Sequence, residues 1–172
     1  MGISVINNFF TNDELKIIKF EIEECYKNKI HHLEGKDKPE WQNGVDSGKV
    51  SLSTYPLNPI IDKEIYDIVK NKSEATFNLP INNIGIHYGA PGSYMGWHQE
   101  GQGYTGALSI YLNEKWDIQW GGYFCYEDDD GTYKLEIPKF NKAVFQKAKT
   151  LHCTTPVYEN ANIRKSIQVF FE

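Results

Sequence analysis

The stretch GWHQEG contains two residues with the type and spacing of half a metal site, His98 and Glu100. Side chains two positions apart on a strand project from the same face, so an imidazole nitrogen and a carboxylate oxygen would converge there. Chance alone supplies such pairs, because 5 His and 23 acidic residues in 172 give about 0.7 occurrences of His-x-acid. The chain has a second pair, His32 and Glu34, in a polar segment without a strand pattern, which indicates a solvated surface.

A further histidine, His152, can complete the first site. It follows His98 by 54 residues and four predicted strands, so antiparallel folding can return it beside His98. Two imidazoles and one carboxylate form the 2-His-1-carboxylate triad, which leaves coordination positions open and is typical of non-haem Fe(II) oxygenases. The spacing therefore predicts a metal site formed by His98, Glu100 and His152.

An anion-binding pair is predicted on the last strand, RKSIQVFF. Arg164 is the only arginine of the chain, and the alternation of a strand places it on one face with Ser166. The apolar residues Ile167, Val169 and Phe171 take the other face. A guanidinium and a hydroxyl on one inner face can hold a carboxylate through charge-assisted hydrogen bonds. The chain thus combines a metal triad with an anion clamp.

Two helices are predicted to support this site. The first covers residues 11–28, where Thr11 and Glu14 have the spacing of a capping box. Its apolar residues recur at helical spacing and predict one buried stripe, formed by Leu15, Ile18, Ile22 and Cys25. The second helix is expected to begin at Asn58-Pro59, because proline is favoured at the first helical position, and to end near Phe77.

The face of the second helix that we expect to be buried contains Ile61, Ile65 and Val69. Between the helices, residues 28–58 are too long for a plain linker in a compact domain. We expect part of this connection, KVSLSTY, to be a strand and another part to be a mobile loop over a site.

From residue 81 onward the pattern changes to short aromatic and β-branched segments separated by turn residues. These predicted strands are INNIGIHY, ALSIYL, GGYFCYE, TYKLEI, KAVFQK and RKSIQVFF. The sequence DDDG is predicted to be a hairpin turn. Helices followed by closely spaced strands predict an α+β chain with an antiparallel sandwich or barrel. We expect one domain, 1–172, with helices and a loop in 1–80 and the core with the site in 81–172.

Composition excludes several classes of partner. The net charge is −5 and no long basic run is present, so nucleic-acid binding is not indicated. No apolar run approaches the ~20 residues of a membrane span, and the N-terminus lacks the features of a signal peptide. Three cysteines without close spacing suggest neither a disulfide framework nor a zinc knuckle. We therefore expect a cytoplasmic protein without membrane association.

The chain resembles the Fe(II)/2-oxoglutarate-dependent dioxygenases, and within them the prolyl 4-hydroxylase group. The resemblance covers roughly residues 81–172 and rests on blocks in serial order: YGAPGSYMGWHQE, YLNEKWDIQWGGYF, IPKFNKAVFQ, LHCTTPV and the Arg-x-Ser of the last strand. It implies a double-stranded β-helix (a jelly-roll, cupin-like core) with two supporting N-terminal helices. It also implies oxidative decarboxylation of 2-oxoglutarate to succinate and CO₂, coupled to hydroxylation of an unactivated C–H bond.

The resemblance also assigns roles to residues. His98, Glu100 and His152 would hold Fe(II). The residues expected to bind the cosubstrate 2-oxoglutarate are Arg164, Tyr111, Tyr88 and Ser166. O₂ would be the oxidant and ascorbate a reductant. His87, in contrast, is expected to be structural.

The substrate implied by the resemblance is a peptidyl proline, but other readings stay open. Glu100 stands where the prolyl hydroxylase group usually has Asp, which bears more on proline specificity than on iron binding. One alternative is the same chemistry on a free amino acid or another small molecule. A second alternative is a non-oxidative cupin-like module that binds a metal or a sugar. Selectivity would be set by loops such as residues 28–58 and 92–106.

Overall fold

The computed structural model describes residues 2–28 and 52–172. His32 and Glu34, and most of the expected loop between the helices, lie outside the described residues. Of the strand expected in KVSLSTY, the described part is Leu52–Pro56.

The first helix, α1, covers Asn12–Asn28 and confirms the prediction. The backbone N–H of Thr11 donates to Glu14 Oε2 at 2.7 Å, and the N–H of Glu14 donates to Thr11 Oγ1 at 3.3 Å. This reciprocal capping box satisfies two amides that the helix itself leaves unpaired. The predicted stripe is buried, and it consists of Leu15, Ile18, Ile22 and Cys25.

The second helix, α2, covers Lys63–Phe77, so the predicted start at Asn58-Pro59 was wrong. The Asn58 side chain accepts hydrogen bonds from the backbone N–H groups of Ile60 and Ile61, which stabilises a separate turn before the helix. As a result, Ile61 is 73% exposed and does not share the buried face of the helix. Ile65 and Val69 are buried as predicted. No helix in the described ranges is long and apolar enough to cross a membrane.

Two antiparallel sheets form the rest of the fold. The large sheet has the order β1-β8-β5-β10-β3-β2. Its strands are β1 Ile3–Asn7, β2 Leu52–Pro56, β3 Ile81–Gly89, β5 Gly106–Tyr111, β8 Lys142–Lys147 and β10 Arg164–Phe171. The small sheet has the order β4-β9-β6-β7. Its strands are β4 Met95–His98, β6 Phe124–Glu127, β7 Tyr133–Glu136 and β9 His152–Thr154.

All six strands that the sequence predicted after residue 80 are present, and the DDDG segment forms the turn between β6 and β7. β1 and β9 were not predicted, and the strand assumed to contain both His98 and Glu100 is the shorter β4, which ends at His98. They have three to five residues each, too few to display a clear alternation. The expected α+β class, with two helices and a largely antiparallel core, is confirmed.

The two faces of the large sheet differ in chemistry. One face packs against the helices and is apolar, and its buried residues include Ile84, Ile86, Leu108, Ile110, Ile167, Val169 and Phe171. The opposite parity contains buried polar residues, among them His87, Ser109, Gln146, Arg164, Ser166 and Gln168. Burial of so many polar groups is costly unless they bind partners. A ligand site is therefore expected on this face of the large sheet.

Candidate metal centre

His98 and His152 lie opposite each other on neighbouring strands of the small sheet. His98 is the last residue of β4, His152 is the first residue of β9, and the two are paired in the antiparallel register. Their ring centroids are 4.2 Å apart. The return of His152 to His98, which the sequence predicted, thus takes place by direct strand pairing.

Both imidazoles are held in the same way. His98 Nδ1 lies 2.8 Å from the backbone carbonyl of Gly96, and His152 Nδ1 lies 2.8 Å from that of Thr150. Because a carbonyl oxygen only accepts, each Nδ1 carries the proton and each Nε2 keeps its lone pair for a metal. Burial, and then the neighbouring His152, lower the pKa of His98 below its ordinary value, which favours the neutral imidazole that a metal requires.

Glu100 joins the two imidazoles, but from outside the strand. The sequence placed it on the same strand as His98, whereas β4 ends at His98. Its position is determined by its backbone N–H, which donates to the carbonyl of Ala148 at 2.9 Å. Glu100 Oε1 lies 3.5 Å from His152 Nε2. One donor atom from each residue of the triad lies within 4.8 Å of the others, a spacing that one cation can bridge.

The donor set fits Fe(II). Two neutral nitrogens and one carboxylate oxygen are the ligands of the facial triad, which leaves further coordination positions for other ligands. His152 is buried and Glu100 is largely buried, so a cation bound here would be shielded from water on the protein side.

Gln146 on β8 is a fourth polar residue at this centre, and sequence reasoning missed it. Its Nε2 lies 2.8 Å from Glu100 Oε1 and 2.7 Å from His152 Nε2. The side chain is 3% exposed, and its Oε1 has no hydrogen-bond partner in the described part of the chain. The available signal in the sequence was a glutamine inside the apolar segment KAVFQK. Strand alternation places this glutamine on the same face as Val144, which is the face that contains the buried polar residues.

Arg164 and Ser166 lie on the polar face of the large sheet, as the sequence predicted. Both are buried, and Ser166 is paired with Tyr111 on β5. The Arg164 guanidinium carbon lies 5.2 Å from the centroid of the Tyr111 ring. Within residues 2–28 and 52–172, neither Arg164 Nε nor the Tyr111 hydroxyl has a hydrogen-bond partner. Two unpaired buried donors side by side indicate a site for a ligand with acceptor atoms.

The charge state of Tyr111 suits the same purpose. Burial raises the pKa of Tyr111, and the Arg164 guanidinium acts in the opposite direction. The net direction is upward, so the hydroxyl keeps its proton at neutral pH and can donate it in a hydrogen bond. A protonated Tyr111 and a charged Arg164 together fit a carboxylate.

Tyr88 does not lie on the face where the sequence-based assignment placed it. Tyr88 lies on the helix face, where its hydroxyl donates to the backbone carbonyl of Ile22 at 2.8 Å and its ring lies 5.1 Å from that of Tyr26. It therefore cannot contact a ligand between the sheets. His87 is paired with Ser166 and lies on the polar face, and its expected structural role stays a prediction.

The environment of His87 on the polar face also determines its charge. Burial, and then the Arg164 guanidinium, lower the pKa of His87 to about 3. It is therefore neutral at physiological pH and adds no second positive charge beside Arg164. The signal in the sequence was the parity that His87 shares with Gly85 and Gly89. In the register of β3 against β10, this parity places His87 on the polar face of the sheet.

The Gly-Gly turn before β6 packs against Arg164. Gly122 has φ of +65°, and a Cβ there would lie 3.1 Å from Arg164 Cδ and 3.2 Å from Trp116 Cζ2. Gly121 has φ of +68°, and its Cβ would lie 2.1 Å from the backbone oxygen of Pro156. Both positions thus require glycine, for conformation and for space.

The sequence profile of the 2OG-Fe(II) oxygenase superfamily matches residues 84–172, which contain all of the residues proposed to bind the metal and the cosubstrate. No curated protein matches the chain. The cofactors expected from the sequence, Fe(II), 2-oxoglutarate and O₂, are those of this superfamily.

Solved structures with the same fold cover nearly the whole chain. A prolyl hydroxylase from Trichoplax adhaerens, in complex with a peptide fragment of the oxygen degradation domain of hypoxia inducible factor, has a TM-score of 0.78 at 14% identity and covers 99% of this chain and 83% of its own. A Pseudomonas putida prolyl-4-hydroxylase has a TM-score of 0.70 at 16% identity, with coverage of 99% and 92%. A Burkholderia pseudomallei oxidoreductase of the 2OG-Fe(II) oxygenase family has a TM-score of 0.71 at 15% identity, with coverage of 99% and 84%. The fold is thus the double-stranded β-helix expected from the sequence.

Proposed function

Because the chain belongs to the 2OG-Fe(II) oxygenase superfamily, we propose that it is an Fe(II)- and 2-oxoglutarate-dependent dioxygenase that hydroxylates a peptidyl proline. The observation that supports this most directly is the convergence of His98, Glu100 and His152 within 4.8 Å, on the same side of the large sheet as Arg164. A metal triad beside an anion site is what this chemistry needs.

His98 and His152, each through Nε2, and Glu100, through a carboxylate oxygen, would hold Fe(II). When it is bound, it supplies the oxidative decarboxylation of 2-oxoglutarate with O₂ and, through it, the oxidation of the substrate C–H bond. The contribution of the protein is to orient both imidazoles with Nε2 toward the metal, which the carbonyls of Gly96 and Thr150 do by accepting from Nδ1.

Arg164 binds the far carboxylate of 2-oxoglutarate, together with the hydroxyls of Tyr111 and Ser166. The cosubstrate then supplies the acceptors that Arg164 Nε and Tyr111 Oη lack. His87 faces the same space as a neutral group, so the charge that recognises the cosubstrate comes from Arg164. The carboxylate is bound away from water, where charge-assisted hydrogen bonds are strong.

For the substrate, the proposal of a peptide rests on a solved structure with the same fold. The Trichoplax relative was solved with a peptide fragment, which agrees with a peptide substrate.

The reaction is tested by anaerobic addition of Fe(II) and 2-oxoglutarate, which should give a weak visible charge-transfer band that requires both. Admission of O₂ with a library of proline-containing peptides should release succinate and add one oxygen to a peptide, detected by mass spectrometry. Succinate release with free amino acids but with no peptide would favour the small-molecule alternative. Binding of a metal with neither O₂ uptake nor succinate release would point to the cupin-like module.

A further inference from the structure

We propose that Gln146 positions Glu100 for metal binding, and that this site is built around a glutamate ligand rather than the shorter aspartate. The inference rests on the proposed iron site and adds to it a residue outside the triad. Gln146 does not bind the metal in this proposal; it acts through the carboxylate that does.

The first argument is the contact itself. Gln146 Nε2 donates a hydrogen bond to the Glu100 carboxylate at 2.8 Å. Among the described residues, no other group donates to this carboxylate. The backbone of Glu100 is tied to Ala148, but its side chain extends past the end of β4 and has no strand to restrain it. A long carboxylate side chain has several rotamers, so a single buried donor decides which one faces the imidazoles.

The second argument is the orientation of the Gln146 amide. Its N–H groups point at two atoms that the metal would use, Glu100 Oε1 and His152 Nε2, while its own Oε1 is buried without a partner. An unpaired buried carbonyl is costly, so the amide is not placed for its own hydrogen bonding. Its placement is explained if the amide orients the residues of the triad.

The third argument concerns what changes when a cation binds. A neutral imidazole has one acceptor lone pair, so His152 Nε2 must release Gln146 when it takes a metal. A carboxylate has about four lone-pair sites, so Glu100 can keep the hydrogen bond and bind the metal at the same time. The bond to Glu100 is therefore the one that persists in the metal-bound protein.

The length of Glu100 matters for the same reason. An aspartate at this position would withdraw the carboxylate by about 1.5 Å, one C–C bond. The contact with Gln146, now 2.8 Å, would then lie outside hydrogen-bonding distance. Gln146 and Glu100 are thus matched in length, which gives a physical account of why the acidic ligand here is a glutamate.

The test is the dissociation constant of Mn(II), measured by titration calorimetry without cosubstrate or turnover. Gln146→Met removes the N–H donors and nearly keeps the shape, and it should weaken Mn(II) binding about 10-fold or more, the usual loss for a group that orients a ligand. Gln146→Leu, measured alongside, provides a second variant if one of them fails to fold, as judged by circular dichroism and thermal melting. Gln168→Met is the matched control, because Gln168 is a buried glutamine of the same face that bonds Ser109 and Ser166, and it should leave the Mn(II) constant unchanged.

A double-mutant cycle separates positioning from a general loss of packing. In a Glu100→Asp background the carboxylate no longer reaches Gln146, so Gln146→Met should change the Mn(II) constant less than about twofold. The visible spectrum of the Co(II) form should shift in Gln146→Met but not in Gln168→Met. An equal loss in both backgrounds, or tighter binding in Gln146→Met, overturns the inference. Failure of the wild type to bind Mn(II) or Co(II) would instead overturn the proposed metal site.

Discussion

Arg164 and Lys165 are adjacent in sequence and point to opposite sides of the large sheet. Arg164 is buried on the polar face, 5.2 Å from the Tyr111 ring, whereas Lys165 forms an ion pair with Glu23 of α1. One cation therefore serves the candidate site and the other serves helix packing. This relationship separates the roles of two residues that look equivalent in the sequence.

Arg164→Lys should raise the Kd of 2-oxoglutarate by about 10-fold or more, because the loss of a hydrogen bond to a charged group costs ~1.5–3 kcal/mol. Lys165→Ala is the matched control and should leave this Kd unchanged. The measurement is titration calorimetry on the Mn(II)-loaded protein without O₂. If Lys165→Ala weakened binding and Arg164→Lys did not, the assignment of the anion site would be wrong.

His98→Ala and His152→Ala should each abolish measurable Mn(II) binding, because two remaining ligands hold the metal poorly and the buried pocket stays open on one side. Gln99→Ala, which changes the residue between His98 and Glu100 in the chain, should bind Mn(II) like the wild type. Gln99 is a suitable control because it bonds the carbonyl of Lys149 and no member of the triad. Wild-type affinity in His98→Ala would contradict the triad.

Tyr88→Phe should lower the free energy of unfolding by ~1 kcal/mol and leave the Kd of 2-oxoglutarate unchanged. The reason is that its hydroxyl bonds the carbonyl of Ile22 in the helix-side core, so only a structural hydrogen bond is lost. Tyr111→Phe should instead weaken 2-oxoglutarate binding. Urea unfolding and cosubstrate titration of both variants check this. Weaker cosubstrate binding in Tyr88→Phe would restore the assignment made from the sequence.

His87 should make the protein less stable in acid. Its pKa is lowered by burial and by Arg164 to about 3, so the unfolded chain binds this proton and the folded chain does not. Stability from this group is therefore fully present above pH ~6.5 and is lost as pH falls, by ~2 kcal/mol between pH 6.5 and 5. His87→Gln should flatten that part of the profile, measured by urea unfolding at each pH. An unchanged slope would show that His87 is solvated in the folded protein.

Local patterns in the sequence were sufficient to predict the features that depend only on neighbouring residues. The capping box of Thr11 and Glu14 and the alternation that separates Arg164 from Ile167 depend on a few consecutive residues, and both were predicted correctly. The return of His152 to His98 was also predicted, because antiparallel folding of the four strands expected between them can bring the two residues together. The assignment of one domain to residues 1–172 and the cytoplasmic location stay predictions.

The remaining features depend on contacts between distant segments, which no local pattern contains. The face that Tyr88 takes follows from the register of β3 against β10, where Gly89 pairs with Arg164. Glu100 reaches the triad through the carbonyl of Ala148, not through the strand that its spacing suggested. Gln146 meets Glu100 across 46 residues of sequence. The sequence by itself determined which residue types could bind a metal and an anion. Tertiary structure decided which copies of those types converge, because strand register and backbone hydrogen bonds across the sheets set the direction of each side chain.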